Sequence, residues 1–140
     1  PLTLLFAKFF SSIIPSFTQN NRLLPEHLSK DKEAVKSYIN DPLVHARISL
    51  AAYMQAFNQG KWAMENAHKL KIKVLCIHGT DDKITSIDAT KKFAENAGSM
   101  TTFKSWEGVK HEPHNDLEKK EVLEFIANWI SQNIPVSQYD

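Results

Sequence analysis

Apolar positions at the start of the chain recur with a helical period. Leu2, Leu5, Phe6, Phe9, Phe10, Ile13 and Ile14 fall at i, i+3, i+4, i+7, i+8, i+11 and i+12, and Pro15 ends the run. That spacing predicts an amphipathic helix with one buried face. Its apolar stretch falls short of the roughly 18 residues a membrane span needs, Lys8 interrupts it, and no basic start or small-residue cleavage site frames it. Neither a span nor a signal peptide fits. After the polar stretch Thr18-Gln19-Asn20-Asn21, the segment SKDKEAVKSYIND predicts a short helix, with Ser29 or Asp31 able to cap it, a stripe of Val35, Tyr38 and Ile39, and a stop at Asn40-Asp41-Pro42. A further helix is expected from about Val44, with Leu50, Tyr53, Met54 and Phe57 at helical spacing and a break at Gly60. No strand signal occurs up to this point.

The pattern then changes. Ile72-Lys73-Val74-Leu75-Cys76-Ile77 is a short β-branched run ending in His78-Gly79, as expected for a parallel strand buried on both faces. A helix over Ser86 to Asn96 follows, with Ala89, Phe93, Ala94 and Ala97 facing inward and Gly98 as its C-terminal cap. Thr101 to Trp106 reads as a second strand, Glu107 to Asp116 as a loop, and the last helix turns Val122, Ile126, Trp129 and Ile130 to one side. The expected fold class is α/β: a βαβα unit of two parallel strands with flanking helices, preceded by an all-helical segment.

Composition adds limits. Hydrophobic residues at 42% and charged residues at 24% exclude a disordered tail, a collagen-like repeat and a disulfide scaffold. Seventeen Lys and Arg against 16 Asp and Glu leave +1, too little to steer the chain toward nucleic acid. The lone Cys76 forms no internal disulfide, which favours a reducing, cytoplasmic compartment. The chain opens on Pro1 without an initiator Met, and a piece of a longer protein is expected.

Ligands of open parallel sheets sit outside the carboxyl ends of the strands, so the two loops after Ile77 and Trp106 are where chemistry is expected. The first holds His78, Asp81 and Asp82, and the second holds His111 and His114. A carboxylate from one loop can orient an imidazole from the other, as a general base beside a nucleophile requires. The alternative is an ordinary helix-capping Asp and an exposed His. His111-x-x-His114 lacks the i, i+4 spacing of a helical metal pair, so no metal and no cofactor is expected, and the four glycines form no phosphate loop. A serine on a G-x-S-x-G elbow would complete a nucleophilic site, and the chain has none. Cys76, inside the strand, reads as a small hydrophobe.

Taken together, Ile72-Lys73-Val74-Leu75-Cys76-Ile77-His78-Gly79-Thr80-Asp81-Asp82-Lys83-Ile84 and Phe103-Lys104-Ser105-Trp106-Glu107-Gly108-Val109-Lys110-His111-Glu112-Pro113-His114-Asn115-Asp116 resemble the C-terminal part of an α/β-hydrolase, within the monoacylglycerol lipase and lysophospholipase group. Ser37-Tyr38-Ile39-Asn40-Asp41-Pro42-Leu43 resembles a turn in that group's helical cap. Lys73 stands where the family usually has proline, a change of strand entry only.

The resemblance implies that Asp82 is the catalytic acid, that His111 after E-G-x-x-H is the catalytic base, and that His114 supports the loop. It divides the chain into a helical cap or lid, residues 1–68, and a C-terminal βαβα part of the core, residues 69–140. The cap residues Phe6, Phe9, Phe10, Leu50, Met54 and Phe57 would hold the acyl chain of a lipid-like ester. The serine would come from the missing N-terminal half, and the 140 residues alone would be inactive. Further expectations are a peripheral contact of the cap with membrane and self-association through the unpaired strand edge. Two other readings stay open: a non-catalytic hydrolase-like module that binds a hydrophobic ligand or a protein partner, and a hydrolase of other small esters or peptides.

Overall fold

A computed structural model describes Phe10 and residues 13–133 of the chain. Most of the amphipathic helix expected from Leu2 lies outside the described residues. Of its end, the Ile14 amide donates to the Phe10 carbonyl at 2.8 Å, a helical i to i−4 bond.

The next segment departs from the all-helical expectation. Strand β1 (Thr18–Asn20) pairs antiparallel with β2 (Arg47–Ser49), Gln19 opposite Ile48. Three-residue strands are too short to show alternation, which needs about four to eight residues. Hydrogen bonds supply what periodicity does not. The Arg47 guanidinium donates to the Thr18 hydroxyl and carbonyl, and the ladder is extended by Asn21 N–H to Ala46 O and Leu50 N–H to Phe17 O, both 2.9 Å.

Helix α1 (Lys32–Asn40) is capped by Asp31, whose side chain accepts from the Glu33 amide. Ser29, the other cap candidate, is buried and engaged elsewhere. Helix α2 (Leu50–Asn66) begins six residues later than expected from Val44, because Arg47–Ser49 are taken by β2 and Ser49 then caps the helix through the Ala52 amide. Gly60 does not break it; that position is exposed, with open space around it.

The second half follows the predicted order. Strands β3 (Val74–Gly79) and β4 (Thr101–Trp106) pair in parallel from Val74–Thr101 to Gly79–Trp106. Between them runs α3 (Ile87–Ala97), capped by Ser86 through the Ala89 amide. Gly98 ends α3 at φ 60°, in a region side chains avoid, and its amide closes onto Ala94 O. Helix α4 (Lys119–Asn133) packs beside β4, with Trp106 edge-to-face on Phe125 at 6.1 Å and the Trp129 indole N–H donating to Thr102 at 2.9 Å.

Val109 and Val122 are fully buried at the centre, joined by Leu28, Met54, Ala67, Ala94 and Ala97. The expectation of a strand buried on both faces is not met. Val74 to Ile77 are half-buried, because among the described residues the sheet has two strands and β3 pairs along one edge only. Ala89 and Ile130, expected inward, are exposed, since no described element covers them.

Candidate active site

Strands β3 and β4 end side by side, and their loops are tied to each other before any catalytic group is considered. Thr80 N–H donates to Trp106 O and Asp81 N–H to Val109 O, both at 2.9 Å. The Thr80 hydroxyl accepts from Gly108 N–H at 2.8 Å, and Gly108 itself turns the chain at φ 66°. A Cβ at Gly79 would overlap the Val109 and Lys110 carbonyls, so only glycine lets the second loop cross this close to the strand end.

These ties bring together the two residues singled out from the sequence. His111 Nδ1 lies 2.9 Å from Asp82 Oδ2. The Asp82 side chain is 3% exposed and the His111 side chain 31%. The other carboxylate oxygen, Oδ1, accepts from the amides of Ile84 (2.7 Å) and Thr85 (3.1 Å), while the Thr85 hydroxyl donates to Oδ2 at 2.7 Å. Burial by itself pushes the Asp82 carboxyl up. The hydrogen bonds from His111, from the Thr85 hydroxyl and from the two amides outweigh it and hold the carboxyl down at about 2. Asp82 is therefore a carboxylate at neutral pH, and an acceptor only. His111 Nδ1 must then carry the proton, which leaves Nε2, unbonded among the described residues, as the ring's basic atom. Asp81, the neighbouring acid, is exposed.

The loop that carries His111 is gripped from the far end of the sequence. His111 N–H donates to His27 O at 3.4 Å and Glu112 N–H to Leu28 O at 2.9 Å. The Lys110 ammonium reaches Glu26 O and, at 3.2 Å, Ser29 O. Asp116, which is 0% exposed, anchors the same junction: it accepts from the amides of Lys110 (2.9 Å), Lys30 (2.8 Å) and Leu117 (2.9 Å) and from the Ser29 hydroxyl (3.3 Å). Burial raises its carboxyl, and those amides together with the Lys30 charge outweigh burial and hold it below the ordinary carboxylate value.

Sequence reasoning passed over Asp116, because its partners Ser29 and Lys30 lie 86 to 87 residues away. His78, placed by the sequence at the strand end beside Asp81 and Asp82, has no role assigned there. His78 is buried, with Nδ1 2.9 Å from the Thr90 hydroxyl and Nε2 3.0 Å from Asp82 Oδ2. The latter approach lies off the N–H axis, so it is an electrostatic contact and not an aligned hydrogen bond.

The remaining expected site residues are distributed differently. His114 is exposed and makes no side-chain hydrogen bond among the described residues; within this loop Asp116 and Asn115 O carry the bonds instead. Phe6 and Phe9 lie outside the described residues, and Phe10 is exposed. Met54 is buried and Leu50 half-buried. Phe57 lines a largely apolar groove of about 540 Å³ with Met64, Cys76, Thr90 and Phe93. Among the described residues no three His, Cys, Asp or Glu side chains stand where one metal ion could be held.

The chain has known counterparts. A family model described as "Serine aminopeptidase, S33" matches residues 1–118. The chain is 34% identical over 124 residues to an uncharacterized abhydrolase domain-containing protein of Dictyostelium discoideum, across 87% of this chain and 13% of that protein. It is 32% identical over 133 residues to a putative monoglyceride lipase of Schizosaccharomyces pombe, across 91% of this chain and 35% of that one. Among solved structures, the crystal structure of a monoacylglycerol lipase from Paleococcus ferrophilus matches with a TM-score of 0.89 at 33% identity, over 94% of this chain and 52% of that one. The chain thus spans about half, or less, of the length of these relatives.

Proposed function

Because the chain belongs to the serine aminopeptidase S33 family and folds as part of an α/β-hydrolase, we propose that it supplies the acid and the base of a Ser-Asp-His triad that cleaves esters of the monoacylglycerol or lysophospholipid type. The observation that carries this reading is the 2.9 Å bond between buried Asp82 and His111 at neighbouring ends of parallel strands. The relatives named as monoglyceride and monoacylglycerol lipases support an ester of a lipid-like alcohol over a peptide. The nucleophilic serine, on this proposal, belongs to chain outside these 140 residues, since no serine here sits in a G-x-S-x-G elbow. The 140 residues alone are then inactive.

The chemistry follows from the geometry. Asp82 holds His111 with Nδ1 protonated, so Nε2 takes the serine proton as the serine oxygen attacks the ester carbonyl. Collapse of the tetrahedral adduct breaks the bond to the alcohol, which leaves with the proton returned from Nε2. Water then repeats the cycle on the acyl-enzyme. Asp82, next to the imidazolium, stabilises the charge that forms and stays ionised throughout.

We assign residues 1–68 to a cap over this site and 69–140 to the core, with Phe10, Leu50, Met54 and Phe57 as acyl-chain contacts together with Phe6 and Phe9. His114 supports the loop in this scheme through its place in the Pro113–Asn115 turn. No helix among the described residues is long and apolar enough to cross a membrane. A cytoplasmic enzyme that meets lipid through its cap is the proposed setting.

The test uses the complete polypeptide that contains this chain. His111→Ala is expected to abolish hydrolysis of monoacylglycerol and of p-nitrophenyl esters, and Asp82→Asn to lower kcat on the order of 10⁴-fold. Rates should rise with acyl length if the cap holds a chain. Full activity in His111→Ala would falsify the triad and leave the scaffold as a binding module.

A further inference from the structure

His78 is the buried titratable group that the proposed mechanism leaves unused. It stands next to the last residue of β3, 7% exposed, with its ring wedged between α3 and the Asp82 loop. Nδ1 meets the Thr90 hydroxyl at 2.9 Å. Nε2 comes within 3.0 Å of Asp82 Oδ2, the same oxygen that accepts from His111 Nδ1 at 2.9 Å and from the Thr85 hydroxyl at 2.7 Å.

Elementary chemistry decides where the proton sits. A bare nitrogen lone pair 3.0 Å from a carboxylate oxygen would be repelled, so Nε2 carries the hydrogen and Nδ1 is left as an acceptor. The Thr90 hydroxyl can then donate to Nδ1, since its other acceptor, Ser86 O, is farther away at 3.4 Å. Asp82 thereby selects the tautomers of both His78 and His111, and the Thr90 hydroxyl holds the His78 ring in place by donating to Nδ1. Because Nε2 approaches Oδ2 off the N–H axis, His78 adds positive potential at that oxygen without displacing the aligned bond from His111.

The amides of Ile84 and Thr85 bind Oδ1, and among the described residues of Asp82's own loop the Thr85 hydroxyl alone reaches Oδ2. The contact from His78 comes from the strand and the helix instead, the rigid part of the unit. We infer that His78 and Thr90 are positioning residues that fix Asp82 Oδ2 toward His111. This rests on the reading of Asp82 and His111 as acid and base.

The experiment compares His78→Phe, His78→Gln and Thr90→Val with the parent in the complete polypeptide, with His111→Ala alongside. The readouts are kcat, KM and the low-field proton resonance of the His111 Nδ1–H···Asp82 bond. His78→Phe and Thr90→Val should each lower kcat about tenfold or more with KM unchanged, and shift or broaden that resonance. His78→Gln, whose amide can again present an N–H to Asp82, should recover most of the loss. Unchanged kcat and an unmoved resonance in Thr90→Val, with His111→Ala inactive, would overturn the inference while leaving the triad intact. Should His78→Phe fail to fold, Thr90→Val decides alone. An active His111→Ala overturns both.

Discussion

Gly79 and Val109 meet backbone to backbone. The end of β3 passes so close beneath the loop after β4 that a single methyl group on Gly79 would overlap the Val109 and Lys110 carbonyls. Since those carbonyls are backbone, no side-chain rotation can relieve the clash. The loop must lift, and His111 begins one residue further on.

Gly79→Ala is therefore expected to cost stability in the range of overpacking, roughly 1–3 kcal/mol. It should also break the bond from Asp81 N–H to Val109 O and separate His111 from Asp82. A lowered urea midpoint together with a lost low-field His111 proton is the expected result. A parental midpoint and an intact resonance would show that the loop does not rest on the glycine.

Acid should act on the fold through Asp82. Its carboxyl is held at about 2 in the folded chain against an ordinary value of 3.8. The folded state thus prefers the ionised form, and the stabilisation is fully present above the unfolded value. It is lost as pH falls from about 4 through about 2, an effect of about 2 kcal/mol for a side chain this well shielded. Asp82→Asn removes the titrating group. Urea midpoints followed across that window should fall less steeply in the variant than in the parent, and equal slopes would place the acid sensitivity elsewhere.

Asp116→Asn separates charge from shape. The amide can replace one acceptor oxygen, but its NH₂ then faces either the Lys110 amide or the donors from Ser29, Lys30 and Leu117, leaving at least one buried N–H unpaired. A loss of about 1–3 kcal/mol is expected, with faster hydrogen exchange at the Lys110 and Lys30 amides. Unchanged exchange at both would mean that the junction is held by its remaining bonds alone.

How legible this fold was depended on the range over which its causes act. The β-branched run before His78-Gly79, the amphipathic α3 and its Gly98 cap are written within a few residues of each other, and they were found where the periodicity put them. Asp82 and His111 could be paired because parallel strands deliver their following loops to one edge. The short ribbon of β1 and β2 left no trace, since strands of three residues cannot show a period, and it displaced the start of α2 from Val44 to Leu50. Gly60 looked like a break because glycine disfavours helix interiors by about 1 kcal/mol, which the capped 17-residue helix tolerates. His78 and Asp116 were invisible as participants for another reason. His78 meets Asp82 four residues on, but the Thr90 hydroxyl that holds its ring comes from a helix twelve residues on, and the Ser29 and Lys30 partners of Asp116 lie 86 to 87 residues back.

The grip of Glu26–Lys30 on the His111 loop sets where this protein can be cut and rejoined. A chimera that exchanges the whole of residues 1–68 would put at risk the placement of the His27 and Leu28 backbone carbonyls and would lose the Ser29 hydroxyl wherever the incoming chain has no serine there. Two amides at the histidine depend on that placement, and the buried Asp116 carboxylate would keep the Lys110 and Leu117 amides but could lose the Ser29 hydroxyl. A graft that begins at Asp31 would leave those five residues with the core that they serve. The seam for such an exchange thus lies after Lys30, and the residues before it that touch the His111 loop belong, in practical terms, to the half of the chain they are farthest from.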